Sequence, residues 1–278
     1  SVVKIWRDPR SWLLPILLAV TGVGCTDAEQ RFITLASTTS TRDSGFFDSV
    51  LPLFEAKTGI QVRVVAVGTG RALRLGEKGD VDAVLVHDRT SELEFVAEGH
   101  GIGRREVMYN DFLVIGPSAD PARVHGMKDA ATALARIAES RAIFTSRGDE
   151  SGTHKAELRL WEAARVDARS DSGAWYRETG TGMGATLNTA SQLGAYLIAD
   201  RGTWLSFKNR GDLQVLVEGD PRLRNVYGVI LVNPKQHSHV KTEDARALME
   251  WLASDEGRAA IADFRIGGVQ LFHPLTPR

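Results

Sequence analysis

Apolar, β-branched runs alternate with segments of helical periodicity along the first part of the chain. Strands are predicted at residues 32–36, 60–67 and 81–86. Between the first two, apolar residues recur on one helix face from Phe46 to Phe54 and end at Gly59, and a second helix is predicted from Arg71 to about Gly76. Strands separated by helices predict a parallel sheet whose carboxyl ends carry the ligand site.

A similar alternation continues through the rest of the chain. Further strands are predicted at residues 112–115, 142–145 and 227–232, and helices at 130–140, 152–164, 188–201 and 242–253. Two sheet-and-helix lobes fit this order better than one. Segments 108–116 and 226–234 are placed to be two crossings between lobes, so residues 31–110 with 230–278 form one lobe and residues 111–229 the other. The predicted class is α/β, with a mostly parallel sheet flanked by helices in each lobe.

The N-terminal 25 residues have the order of a secretory signal. A basic stretch is followed by an apolar run at residues 12–20 and by small residues just before Cys25. Cys25 is the single cysteine, so no internal disulfide can form. Small residues before a cysteine resemble a bacterial lipoprotein cleavage site. We expect a protein outside the cytoplasm, either lipid-anchored through Cys25 at the cell membrane or simply secreted.

The charge balance restricts the class of partner. The formal net charge is −1, with 34 Lys and Arg against 35 Asp and Glu, so no general basic excess exists to attract nucleic acid. Any anion site must therefore be local and built from positioned donors. We expect a monomer with no cofactor and no free metal ion.

Three predicted strand-to-helix turns are rich in small hydroxyl residues and glycines. They are Ser37-Thr38-Thr39-Ser40-Thr41, Gly68-Thr69-Gly70, and the segment RGDESGTH at 147–154. Helix N-termini present unpaired N–H groups and a positive dipole end, and hydroxyls add donors that rotate to fit an anion. The alternative is that each Ser or Thr is simply a helix N-cap. Three such turns, one with an arginine, favour a shared anion site between the lobes.

Several long motifs resemble one family. The passages LASTTSTRDSG, VVAVGTGRALRLGEKGDVDAVLVH, EFVAEGHGIGRREVMYNDFLVIGP, TSRGDESGTHKAE and WYRETGTGMGATLNTAS are similar to those of Tup-type tungstate-binding proteins of bacterial ABC importers, from about residue 32 to the end. The RGDESGT segment also resembles the anion-gripping loop of phosphate-binding proteins. The resemblance implies a two-lobed periplasmic-binding-protein fold that captures tungstate or molybdate and delivers it to an importer permease.

The same resemblance implies a set of ligand-binding residues. Arg147 is the implied charge partner, since a guanidinium stays charged and gives two hydrogen bonds to adjacent oxygens. The family's first-loop motif is Thr-Thr-Thr-Ser, and Ser37 stands here in place of the leading threonine. The implied hydrogen-bond donors are Ser37, Thr38, Thr39, Ser40, Thr69, Ser151, Gly152 and Thr153.

Two questions stay open at this level. Hydrogen phosphate carries a proton and benefits from a carboxylate acceptor, whereas tungstate, molybdate and sulfate only accept; the turns offer mainly donors, which favours the latter group. The alternative function is a phosphate-ester or phosphoryl-transfer enzyme that uses the same turns. The chain lacks a P-loop lysine and an evident nucleophile with its base, so we expect a receptor and not an enzyme.

Overall fold

A computed structural model describes residues 30–276, and the predicted signal segment with Cys25 lies outside this range. Its strands are β1 (Phe32–Thr38), β2 (Gln61–Val67), β3 (Ala83–Val86), β4 (Gly101–Pro117), β5 (Phe144–Ser146), β6 (Tyr176–Glu178), β7 (Leu197–Asp200), β8 (Leu213–Val217), β9 (Arg224–Val232), β10 (Arg265–Ile266), β11 (Val269–Gln270) and β12 (His273–Pro274). Its α-helices are α1 (Thr39–Asp43), α2 (Phe46–Thr58), α3 (Thr69–Glu77), α4 (Arg89–Ala97), α5 (Ala130–Ser140), α6 (Gly152–Ala163), α7 (Met183–Leu193), α8 (Arg201–Ser206), α9 (Thr242–Ala253) and α10 (Asp255–Asp263).

One curved, mixed sheet organises these elements. Its strand order is β12-β4-β9-β3-β1-β2, and β7 and β8 pair with the carboxyl half of β4. β1 pairs in parallel with β2 and β3, whereas β9 is antiparallel to both β3 and β4. The 17-residue β4 therefore runs through the whole sheet: its first part pairs with β9 and its last part with β7 and β8.

Alternation of side chains along the strands produces separate apolar cores on the two faces of the sheet. In β3, Ala83 and Leu85 join one core, while Val84 and Val86 join the core on the opposite face. These two cores draw on residues 33–108 and 227–272. In β4, residues 112 and 114 join a third core and residues 113 and 115 a fourth, both formed within residues 112–223.

Many of the predicted elements are present in the structure. The helix predicted from Phe46 is confirmed as α2. Gly59 ends it at φ 71°, a backbone conformation that glycine adopts without strain, and its buried face consists of Phe46, Phe47, Val50, Leu51 and Phe54. The predicted segment 108–116 lies within the longer strand β4.

Two predictions about these elements are wrong. The helix predicted at 188–201 is α7, which begins earlier and ends at Leu193, followed by the buried strand β7 and then α8. The apolar run LIAD of β7 fits either a buried strand or a helix by periodicity alone, and its pairing with β4 decides the matter. The sheet is also not mostly parallel, because the pairings of β9, β7 and β8 with their neighbours are antiparallel.

Within residues 30–276, no helix combines the length and apolarity that crossing a membrane requires.

Candidate functional site

The first side of the candidate site forms where the parallel strands β1 and β2 end. Their carboxyl ends lie side by side in register, with Thr38 paired to Val67. α1 begins directly after β1, and α3 begins at Thr69 directly after Gly68. We call this side the hydroxyl wall, and it consists of Thr38, Thr39, Ser40, Gly68, Thr69 and Gly70.

The second side is the loop between β5 and α6. Arg147 follows the last residue of β5, and Gly152 is the first residue of α6. We call this side the charged wall, and it consists of Arg147, Asp149, Glu150, Ser151, Gly152, Thr153, His154 and Lys155.

The two walls line one cavity of about 760 Å³. All three of the predicted turns reach it, although they lie far apart in the sequence. The predicted site residues that line this cavity are Thr38, Thr39, Ser40, Thr69, Arg147, Ser151, Gly152 and Thr153.

Ser37 does not line the cavity. Its side chain is buried, and its hydroxyl donates to the carbonyl oxygen of Leu85 at 2.6 Å across the β1–β3 pair. Side chains alternate in direction along β1, and that of Ser37 points into the sheet. Packing within the sheet therefore explains a small hydroxyl residue at this position of the motif. Thr38, one residue further, is the first residue of the turn whose side chain reaches the cavity.

Helix capping accounts for part of the hydroxyl content, as the alternative interpretation expected. Thr38 caps α1 and accepts a hydrogen bond from the backbone N–H of Thr41 at 3.4 Å. Ser151 caps α6 and accepts from the backbone N–H of His154 at 3.3 Å. α3 has no side-chain cap, so the hydroxyl of Thr69 is not used in that way. Capping and ligand donation are compatible, because a hydroxyl oxygen that accepts one bond still has a hydrogen to donate.

Arg147 is oriented by a carboxylate within its own loop. Its Nε and one terminal nitrogen donate to the same Asp149 oxygen at 3.0 and 2.5 Å, and the other Asp149 oxygen accepts from the backbone N–H of Ser151 at 3.2 Å. Burial raises the pKa of Asp149, but the Ser151 hydrogen bond and the Arg147 charge outweigh it and hold that pKa below its usual value. The pair fixes the direction of the guanidinium and leaves its second terminal nitrogen without a hydrogen-bond partner among the described residues.

The backbone of the charged wall adopts an unusual conformation. Gly148 has φ 60° and Glu150 has φ 58°, and the second of these is costly for a residue with a side chain. A hydrogen bond from the Glu150 N–H to Nδ1 of His154, at 3.0 Å, holds the loop in this shape. Such local strain concentrates at binding loops, where the surrounding structure enforces it.

The loop between β3 and α4 also contacts α6. Asp88, which is buried, lies 3.3 Å from Nζ of Lys155 and 3.4 Å from a terminal nitrogen of Arg159, both on α6. Burial raises the pKa of Asp88. The Ser91 hydrogen bond and the two cations lower it by more, so the pKa lies below its usual value. His87 packs so closely on Gly152 that a Cβ added there would lie 2.9 Å from its Cε1.

Sequence reasoning missed several residues that line the cavity. His87 comes from the end of β3, and Arg71 and Arg74 come from α3. Together with the charged wall they give the cavity more cations than carboxylates. The cationic side chains are Arg71, Arg74, Arg147, Lys155 and Arg169, against the carboxylates Asp149 and Glu150. No sequence motif marks His87, Arg71 or Arg74 as site residues. Only the fold brings them to this edge of the sheet.

A smaller cavity of about 300 Å³ shares Thr39, Ser40 and Arg147 with the site. Its far side is the start of α7, where Gly182 caps the helix. The glycine-rich passage at this position is thus the start of a helix. In the part of the chain that the structure describes, no three His, Cys, Asp or Glu side chains are grouped closely enough to hold a metal ion.

Comparisons with known proteins agree with this architecture. The sequence profile of the PBP superfamily domain matches residues 24–256. The chain is 46% identical over 246 residues to the tungstate-binding protein TupA of Peptoclostridium acidaminophilum, covering 87% of this chain and 85% of that protein.

Two solved structures share both the fold and the sequence pattern. One is the tungstate-binding protein TupA of Desulfovibrio alaskensis G20, with a TM-score of 0.83, 44% identity, and coverage of 88% of this chain and 99% of that one. The other is the tungstate ABC transporter structure from Geobacter sulfurreducens, with a TM-score of 0.75, 47% identity, and coverage of 84% and 98%. The chain therefore has the periplasmic-binding-protein fold and belongs to the TupA family of the PBP superfamily.

Proposed function

We propose that this chain is an extracytoplasmic receptor that binds tungstate, or molybdate, in the cavity between the hydroxyl wall and the charged wall and delivers it to the permease of an ABC importer. The observation that carries the proposal is the convergence of three donor-rich turns and Arg147 on one cavity. Relatives that are named tungstate-binding proteins support the choice of ligand.

The arrangement suits a tetrahedral dianion. Arg147 supplies formal positive charge and a planar fork, and the N-termini of α3 and α6 supply backbone N–H groups. Hydroxyls of Thr38, Thr69 and Ser151 add neutral donors from different directions. Asp149, one of the two carboxylates that line the cavity, already accepts from Arg147 and Ser151, so its oxygens are engaged within the loop.

Closure of two lobes is the proposed way in which the ligand is held. We place one lobe at residues 31–110 with 230–278 and the other at 111–229. Two cores draw on residues 33–108 and 227–272 and two on residues 112–223, which supports this division except that Tyr227 and Val229 of β9 pack with the first lobe. The walls belong to different lobes under this division, so a ligand that contacts both walls favours the closed form. A permease then recognises that form.

Binding without catalysis is the reading that the geometry favours. The hydroxyl of Ser151 accepts from the backbone N–H of His154, and the His154 ring accepts from the N–H of Glu150 through Nδ1. His154 therefore holds the loop and is not placed as a base for Ser151. The phosphate-ester enzyme is the weaker proposal for this reason.

Export and anchoring extend the proposal to the N-terminal segment. A basic and apolar stretch before Cys25 supports cleavage at that residue, with acylation as the anchor at the outer face of the membrane. Mass measurement of the mature N-terminus in native membranes decides it: an acylated Cys25 supports the anchor, and a cleaved chain without lipid removes it.

Calorimetric titration of the purified mature chain tests the function. We expect submicromolar binding of tungstate and molybdate and at least about 100-fold weaker binding of sulfate and phosphate, a difference of about 2.7 kcal/mol. Tighter binding of phosphate than of tungstate would favour the enzyme alternative.

A further inference from the structure

His87 lies in the cavity with its two ring nitrogens in very different surroundings. Nδ1 is 3.0 Å from Oδ1 of Asn225, while Nε2 is shielded from solvent and has no hydrogen-bond partner among the described residues. A buried, unpaired ring nitrogen is costly, and each one in a native fold calls for an explanation. Here the nitrogen belongs to a residue that touches Gly152 of the charged wall.

The hydrogen-bond network fixes which nitrogen carries the proton. The Asn225 amide nitrogen donates to Oδ1 of Asn110 at 2.7 Å, so the Asn225 oxygen is left to accept from His87. His87 therefore donates through Nδ1–H, and in its neutral form Nε2 is a bare lone pair. Asn110 and Asn225 pair directly across β4 and β9, where both strands approach the second lobe.

His154, the other histidine of the cavity, has the opposite arrangement. Its Nδ1 accepts from the Glu150 N–H, so its buried Nε2 already carries a hydrogen that is free to donate. An oxyanion that only accepts is compatible with His154 as it stands. An anion within hydrogen-bonding distance of Nε2 of neutral His87 would instead meet a lone pair, and two acceptors repel each other.

Several charged and titratable groups surround His87. They are Asp88 in its own loop, Lys155 and Arg159 of α6, Asp200 before α8, Tyr227 of β9, and the cavity-lining Arg71, Arg74, Arg147, Arg169, Asp149, Glu150 and His154. Burial lowers the pKa of His87 below the usual histidine value, while the Asn225 hydrogen bond and the charges of Asp200 and Asp88 oppose that effect. Without a ligand the ring is neutral near pH 7. The carboxylates of Asp200 and Asp88 would stabilise a positive charge on it.

We propose that His87 is the proton-linked residue of this site: a fully deprotonated oxyanion enters the cavity together with one proton, which solvent supplies to Nε2. Protonation turns the opposing lone pair into a charge-assisted donor to the anion. The inference rests on the proposed function, because it takes the ligand to be an acceptor-only dianion such as tungstate. It adds a specificity element to the cavity from the loop after β3, which belongs to neither wall.

The sign of the pH dependence follows from linkage. The dianion raises the pKa of His87 above its ligand-free value, so affinity is highest at low pH and falls by about tenfold per pH unit between the two values. Above the ligand-bound pKa the affinity stops changing, because neither state then carries the proton.

Calorimetry with tungstate in two buffers of different ionisation enthalpy measures the proton uptake. We expect close to one proton per tungstate in the unmodified chain near pH 7, and close to zero in His87→Gln, with an affinity about tenfold lower. His154→Gln is expected to lose affinity but keep the proton uptake, since its Nε2 is protonated beforehand. His125→Gln, at an exposed position outside the cavity, is the matched control and keeps both.

The outcomes separate the inference from the function. Tight tungstate binding with no proton uptake, or uptake that persists in His87→Gln, overturns the inference and leaves the receptor role intact. No tungstate binding at all overturns both. Should His87→Gln not fold, nuclear magnetic resonance of isotope-labelled histidine in the unmodified chain replaces it. We expect one histidine ring to become protonated on both nitrogens when tungstate is added. If every histidine ring keeps its protonation state, the inference is refuted.

Discussion

The hydroxyl wall and the charged wall face the same cavity but present different kinds of group to it. The hydroxyl wall contains no ionisable side chain and follows the ends of two parallel strands, so it offers neutral donors in fixed positions. The charged wall is a loop with left-handed residues, in which Arg147 is already paired with Asp149. The hydroxyl wall thus provides neutral hydrogen-bond donors, and the charged wall provides the cationic side chains of Arg147 and Lys155.

The difference shows how selectivity arises in such a site. Under the proposed function, an arriving dianion bonds to the second terminal nitrogen of Arg147, while Asp149 keeps the Nε and the first terminal nitrogen. Under the same proposal, donors of the hydroxyl wall add to the binding free energy only for an anion large enough to touch both walls. The comparison therefore predicts that substitutions on the two walls differ in size of effect and in their consequence for stability.

The largest expected effect is at Arg147. Arg147→Ala leaves a dianion beside the uncompensated Asp149 carboxylate, and we expect tungstate affinity to fall by about 2 to 5 kcal/mol in calorimetric titration. Arg147→Lys recovers only part, because an ammonium lacks the planar fork.

The matched control for Arg147 is Arg42. Arg42 is half exposed, pairs with Asp43 and does not line the cavity, so Arg42→Ala should bind tungstate normally. If Arg147→Ala bound within about threefold of the unmodified chain, a change under about 1 kcal/mol, charge would not come from this wall.

Neutral donors on the hydroxyl wall should matter less than the arginine. Thr69→Val keeps the shape of the side chain but removes its hydroxyl, and since Thr69 caps no helix, the loss should appear in affinity alone, at about 1 to 3 kcal/mol. Thr189→Val on α7, outside the cavity, serves as the control. A lowered melting temperature with unchanged affinity would show that Thr69 acts in folding only.

The ion pairs between Asp88, in the loop after β3, and α6 should have a smaller effect. In Lys155→Gln with Arg159→Gln, Asp88 loses both cations, and we expect tungstate affinity to fall by about 1 kcal/mol, since both cations are partly exposed and screened by solvent. Scattering measurements should show less compaction on adding tungstate. Exposed Arg165, away from the cavity, gives the control Arg165→Gln; equal compaction in all three proteins would exclude a closing role for these pairs.

The smallest expected effect on binding is at Ser37. Because its hydroxyl bonds to Leu85 inside the sheet, Ser37→Ala should change tungstate affinity by less than about twofold while lowering the free energy of unfolding by about 1 to 2 kcal/mol. Chemical denaturation and titration of the same sample check both values. A large loss of affinity would show that Ser37 contributes to ligand binding.

Local sequence patterns predicted the turns because each turn follows a strand end whose residue types are diagnostic. The hydroxyls after β1, the glycines after β2 and the RGDESGT segment after β5 are short-range signals, and parallel pairing of β1 with β2 brings the first two together. Arg147 and the donors beside it were accessible in this way, although their roles as ligand-binding residues stay predictions.

The contacts that complete the cavity are long-range and leave no such signal. His87 depends on Asn225, 138 positions further along the chain, and Asp88 depends on α6 about 70 positions away. The antiparallel course of β9 between β3 and β4 likewise arises from register and burial, which periodicity does not report. Ser37 points into the sheet and Thr38 lines the cavity because successive side chains of a strand alternate in direction. The sequence locates the end of β1 only to within a residue or two, so it cannot tell which of the two residues lines the cavity.

The most direct test of the shared site is a crystal structure of the chain with tungstate, located by the anomalous scattering of tungsten. We predict a single strong peak between the two walls, with oxygens within hydrogen-bonding distance of Thr38, Thr69, Arg147 and Ser151. A peak in the smaller cavity at the start of α7, or contacts confined to one wall, would contradict the account.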